Sequence, residues 1–120
     1  MSGLPAGRAV RCEGKEFNFS FAASMREMIK GLGGVKSIEP FDGMLFDFSS
    51  DTSVIMEPRG LLFPIDIAFI TSDGRVDEIQ RMDPAIGHNV YASRQVRYAI
   101  EAPVGFFEKQ NIKIGSRFSF

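Results

Sequence analysis

Asp66 is set between Ile65 and Ile67 in the run "FPIDIAFI", and a carboxylate in so apolar a stretch has to be paired, solvated or at work. Three roles fit it. It can pair with Arg59, Arg75, Arg97 or backbone N–H groups and stay charged; it can face water from one side of a strand; or it can act as an active-site acid. His88 is the only histidine of the chain and sits beside Asn89 and Tyr91 in "DPAIGHNVYASRQV". An imidazole titrates near neutral pH and can serve as a general base. That role also needs a nucleophile and an orienting acid, and no nucleophile elbow or triad pattern supplies them. The candidate ligand-binding set is therefore Arg59, Asp66, His88 and Tyr91, with no catalytic residue assigned.

Other chemistry finds less support. Cys12 is the single cysteine, which excludes an intrachain disulfide and a cysteine-based metal knuckle. Asp42, Asp47 and Asp51 are interleaved with core-type residues and do not follow the order of a calcium loop. No histidine or cysteine pair has metal-ligand spacing, so neither metal nor cofactor is expected. Gly33-Gly34 is not read as a phosphate loop, because no Lys-Ser/Thr follows a strand there. A formal net charge of −1, with basic residues scattered among acids, gives no footprint for nucleic acid or acidic lipid.

The elements that must position these residues are mostly strands. Phe17, Phe19 and Phe21 alternate with Glu16, Asn18 and Ser20, the period of a half-buried strand. "GMLFDF" and "TSVIME" read as further strands. In "PIDIAFIT", Ile65, Ile67 and Phe69 share one face and Asp66, Ala68 and Ile70 the other. "SDG" is a hairpin turn, and the spacing of Val76 and Ile79 predicts a bulge near Asp77–Glu78. "RYAIEA" and "IKIGSRFSF" complete the strand set. In the second of these, Ile112, Ile114, Phe118 and Phe120 hold one alternation.

One stretch changes period. Met25, Met28, Ile29 and Leu32 fall on a single helical stripe, and Ser24 with Glu27 forms a capping box. The stripe suits a helix sealing the end of a barrel. A second short helix is expected after Pro103. Residues 1–14 lack any period and read as a flexible or partner-contacting arm, leaving 15–120 as one domain. Residues 83–96 read as a long loop. The expected fold is mainly β: a compact β-barrel or rolled β-sandwich of six to seven short strands with one N-proximal and one short C-proximal helix. At 120 residues such a domain buries roughly two-thirds of its unfolded surface.

"DGMLFDF", then "LLFPIDIAFITSDGRV", then "RYAIEAPVGFFEKQNIKIGSRF" together resemble the small bacterial, archaeal and phage family known as domain of unknown function 192. The resemblance rests on Gly43–Phe46, Pro64–Asp66, Ser72–Arg75, Tyr98–Gly105 and Ile112–Ser116, with "IKGLGG" similar to the family's helix end. It implies an all-β barrel-like or sandwich domain with a helix near its start, and no reaction. Where family members carry Trp-Met-Lys-Asn-Thr, this chain has Glu57, Pro58, Arg59, Gly60 and Leu61. The aromatic and amide groups of that segment are absent here.

The functional expectation is a non-catalytic binding or assembly module. Its partners would be protein subunits, in a homo-oligomer or a larger particle such as a phage virion. The alternative is a small-molecule or carbohydrate binding protein, or a hydrolase, using a barrel mouth around Asp66. No apolar stretch matches a signal peptide or a run of about 18 membrane-spanning residues, so a cytoplasmic setting is expected, or a virion if phage-encoded.

Overall fold

The computed structural model describes residues 3–120. The phenylalanine alternation builds β2 (Lys15–Ala22), which pairs along its length with β1 (Gly7–Cys12). β1 lies within the segment expected to be an arm. Val10 and Cys12 are buried there, because β1 joins the sheet and turns these side chains inward. Met1 and Ser2 of that arm lie outside the described residues.

Between β2 and β3 (Gly43–Thr52) the chain makes a crossover through α1 (Met25–Lys30). The pairing of β2 with β3 is parallel, which a tight hairpin cannot produce. The capping box is formed: Ser24 Oγ accepts from the Glu27 N–H at 3.1 Å, and Glu27 Oε1 accepts from Ser24 N–H at 3.0 Å. The expected buried stripe is not formed. The helix stops at Gly31, so Leu32 reaches the core from the following turn while Met25 and Ile29 stand 72% and 79% exposed.

The remaining elements are β4 (Ile55–Met56), β5 (Ile65–Ile70), β6 (Val76–Met82), β7 (Val90–Tyr91), β8 (Val96–Pro103), α2 (Phe106–Lys109) and β9 (Phe118–Ser119). Seven strands form one mixed sheet in the order β6-β5-β8-β3-β2-β1-β9, and β4 pairs with β7 in a small second sheet. The fold is thus mainly β, a curled half-barrel with two short helices. The β5–β6 register shifts past Asp77, between Phe69↔Glu78 and Ile70↔Val76, so the bulge lies where the spacing puts it. The 83–96 loop contains β7, and Glu78 ties it to β6 by accepting from Ser93 N–H at 2.6 Å and Ser93 Oγ at 2.9 Å.

The last residues curl the sheet. Phe118 and Ser119 pair with β1, while Phe118 N–H donates to Gly74 O at 2.8 Å and Val76 N–H to Ser116 O at 2.9 Å. The C-terminal segment therefore spans from one edge of the sheet to the other. Inside the curl, residues from β1, β2, β3, β5, β8 and β9 meet Phe107 of α2 and Ile112. Tyr98 stacks on Phe120 at 4.0 Å, and Phe118 lies 5.8 Å from the same ring. Ile114 does not join this alternation: it sits in a turn closed by Ser116 N–H to Lys113 O and is 69% exposed. A second core lies on the outer face, where Ile65, Ile67, Phe69, Met44 and Phe46 are covered by Leu32, Val35, Met56, Leu61 and Val90. Both faces of the central strands are therefore dry.

Gly74 is where the closure is tightest. Its φ of +87° suits glycine, and a Cβ there would stand 2.3 Å from Phe118 O. Gly74→Ala is expected to lower stability by at least about 1–3 kcal/mol in a urea titration, the range of overpacking with backbone movement. An unchanged midpoint would show that the C-terminal closure contributes little.

Candidate functional site

Alternation along β5 puts Asp66 on the inner face, opposite Arg81 of β6 and Ala102 of β8. The residue is 7% exposed. Arg81 Nε donates to its Oδ1 at 2.9 Å, and the Gly105 N–H donates to Oδ2 at 2.9 Å. The carboxylate is paired, but with Arg81 instead of Arg59, Arg75 or Arg97. Antiparallel register decides this, since Arg81 is the cross-strand partner. Arg97 instead pairs with Asp47 at 2.9 Å, and Arg75 lies 3.6 Å from Asp73. Burial opposes the charge on Asp47, yet its bonds from Arg97 and Ser49 N–H hold the carboxyl below the ordinary range. Through Gly105, whose φ is +88°, Asp66 also fixes the start of α2.

Beside Asp66 runs an open groove of about 760 Å³. Ile79, Phe107, Ile112 and Ile114 give it apolar walls, with Arg81, Glu108 and Lys113 among its polar lining. Arg59, His88 and Tyr91 do not line it, and no hydrogen bond among the described residues joins any of them to Asp66. Arg59, His88 and Tyr91 are all exposed. Tyr91 lies on β7 opposite Ile55, where its carbonyl accepts from Gln80 Nε2 at 2.8 Å. The structure thus does not bring Arg59, His88 or Tyr91 to the groove beside Asp66.

A second buried carboxylate escaped the sequence reading. Glu101 of β8 points to the outer face, opposite Met44 of β3 and Ile67 of β5. It is 4% exposed, and its Oε1 has no hydrogen-bond partner. The turn after α1 closes over it: a Cβ on Gly31 would stand 3.1 Å from Oε1 and 3.5 Å from Phe46. Burial pushes the carboxyl up to about 7, and the Leu32 N–H only partly opposes this. The signal was present in "AIEAP", a lone acid between Ile100 and Ala102 on a strand apolar along both faces. It is the same pattern that singled out Asp66.

The remaining candidate chemistry is quiet. Burial pushes the Cys12 thiol up to about 11, with Glu13 adding to the effect and Lys15 opposing it, so the thiolate is scarce at neutral pH. Among the described residues, no group of three or more His, Cys, Asp or Glu is placed to hold a metal ion. No described helix is long and apolar enough to cross a membrane.

The model of the DUF192 family, described as Uncharacterized ACR, COG1430, matches residues 8–120. The chain belongs to this family. Among solved structures, DUF192 geometry recurs in a protein from Sinorhizobium meliloti put forward as a transcription regulator. That protein is 25% identical to this chain, with a TM-score of 0.87 over 97% of this chain and 95% of its own. A protein of unknown function from Novosphingobium aromaticivorans is 22% identical, with a TM-score of 0.80 over 95% of this chain and 85% of its own. No curated protein matches this chain.

The segments that carry the DUF192 resemblance meet around β8. Asp66 bonds to Gly105, Glu101 lies under Gly31 and Leu32, and a Cβ on Gly43 would stand 2.5 Å from Glu101 O. Asp66→Asn should therefore lower stability by about 1–3 kcal/mol in urea unfolding, because the buried side chain loses its charge-assisted bonds from Arg81 and the Gly105 N–H. A change near zero would mean that the pair contributes nothing net.

Glu101 gives a prediction with a defined sign. Its carboxyl is raised in the folded state, from 4.5 to about 7, so the native state holds a proton that the unfolded chain releases. The associated stability is complete below about pH 4.5 and is lost as pH rises through about 7. Relative to Glu101→Gln, the native protein should lose on the order of 3 kcal/mol between pH 4.5 and 8, read by urea unfolding at each pH. A pH-independent difference would mean that Glu101 is ionised throughout.

Proposed function

We propose that this DUF192 chain is a non-catalytic binding and assembly module that associates with other protein subunits. One observation carries the reading. The outer layer that covers the sheet between α1 and the β4–β7 pair displays Met25, Ile29, Ile55, Leu62, Ile86 and Tyr91, each more than half exposed. The same segments send Met28, Val54, Met56, Leu61 and Val90 into the outer core. Each is thus a two-sided element, anchored by one set of apolar side chains and presenting another. Ile55 and Tyr91 are direct cross-strand partners, so their exposed side chains stand together on one face of the small sheet. Exposed apolar surface of this kind is characteristic of contact with another macromolecule. Membership of a larger particle, such as a virion, is one form that this assembly role would take.

A second reading is favoured by the groove beside Asp66. Its apolar walls and the exposed Arg81 suit a small molecule or a carbohydrate with an apolar face and a polar edge. In this reading the Asp66–Arg81 pair orients the ligand at the groove.

The two readings separate in one experiment. Size exclusion with light scattering on native extract should place the chain well above its 13.3 kDa monomer mass. The double variant Met25→Glu, Ile29→Glu should return it to the monomer while leaving its circular dichroism unchanged. A native chain that elutes as a monomer would overturn the assembly reading and favour the groove.

A further inference from the structure

The most unusual group among the described residues is a buried acid with no cation acting on it. Glu101 sits under the turn that follows α1, in contact with that turn and with apolar residues of the sheet. Its cross-strand neighbours Met44 and Ile67 are apolar, as is Phe46 beside Gly31. Of the charged groups on α1, Lys30 and Glu27 are committed elsewhere and Arg26 is exposed. Lys30 Nζ donates to Gly33 O at 3.0 Å, and the Glu27 carboxylate accepts from the Ala23 and Ser24 N–H groups. Arg59, in the loop against Gly33, is exposed and approaches that turn through its carbonyl. The Leu32 N–H is what remains to stabilise a negative charge on Glu101.

We propose that Glu101 is a proton-operated latch, whose neutral carboxyl lets the Gly31–Leu32 turn seat on the sheet and whose ionised form loosens that turn. Two features of the geometry make the turn the yielding part. Glu101 itself is fixed by pairing on both sides, to β3 and to β5, so the strand cannot carry its carboxylate to water. The cover is held more lightly: α1 buries no residue fully, and the turn beyond it bonds to the 58–61 loop through Gly34 N–H to Gly60 O at 2.7 Å. Rotation of this turn away from the sheet would admit water to Oε1, the atom that has no partner. Leu32 would leave the outer core at the same time, so protonation is coupled to the layer that α1 belongs to. The latch does not depend on whether that layer meets a partner.

Hydrogen exchange on the native chain in solution tests this. After correction for the intrinsic pH dependence of exchange, protection at the Leu32 and Val35 amides should fall about tenfold per pH unit between pH 5 and 6.5, then level off above about 7.5. The β5 amides of Phe69 and Ile70 report global unfolding and should stay better protected than Leu32 and Val35 at every pH, and equal protection would make the opening global and overturn the latch. Glu101→Gln should abolish the pH dependence at Leu32 and Val35. Flat protection in the native chain, or an unchanged profile in the variant, would overturn the latch. If the variant does not fold, the carboxyl carbon resonance of Glu101 and the amide resonance of Leu32 in the native chain decide it. A shared titration midpoint supports the coupling, and separate midpoints refute it.

Discussion

The fold depends on keeping two adjacent strands, β5 and β8, dry on both faces. Every residue of β5 is buried, as is β8 from Ala99 to Ala102. In a sheet covered on one side, alternation would give polar residues a solvent face; here the curl and the C-terminal closure cover one side, and the α1 layer covers the other. Each central strand nevertheless carries one carboxylate. Asp66 points into the curl and Glu101 points out of it, on neighbouring strands.

The two acids meet the same cost of burial in different ways. Asp66 lies toward the sheet edge at β6, within reach of a cross-strand arginine and of the Gly105 N–H, and these offset its desolvation. Glu101 lies deeper, between β3 and β5, with no cation acting on it. A charge there is better removed by a proton than balanced by a neighbour. The result is one acid that ties α2 to the sheet and another whose ionisation strains the cover on the opposite face. The assembly surface proposed for this DUF192 chain is formed by segments of that same cover.

The sequence by itself determined β2 to β6 and β8, because a period of two or a short apolar run between turns leaves few other solutions, while β1 and β7 fell in stretches without a period. The capping box at Ser24 and Glu27, the Asp73-Gly74 hairpin and the bulge past Asp77 were legible for the same local reasons. The apolar setting of Asp66 also showed that it would need a partner. What lay beyond the sequence was set by register and long-range contact. Arg81 became the partner because it is opposite Asp66 across the β5–β6 hairpin, whereas Arg59 and Arg97 are carried elsewhere by their own elements. Residues 7–12 look aperiodic alone and become a strand only because β2 on one side and β9 on the other take their backbone groups. Glu101 shows the limit most clearly. Its neighbours in the chain marked an apolar strand, but its burial comes from a turn some seventy positions earlier, and only the tertiary structure brings that turn over an oxygen that has no hydrogen-bond partner.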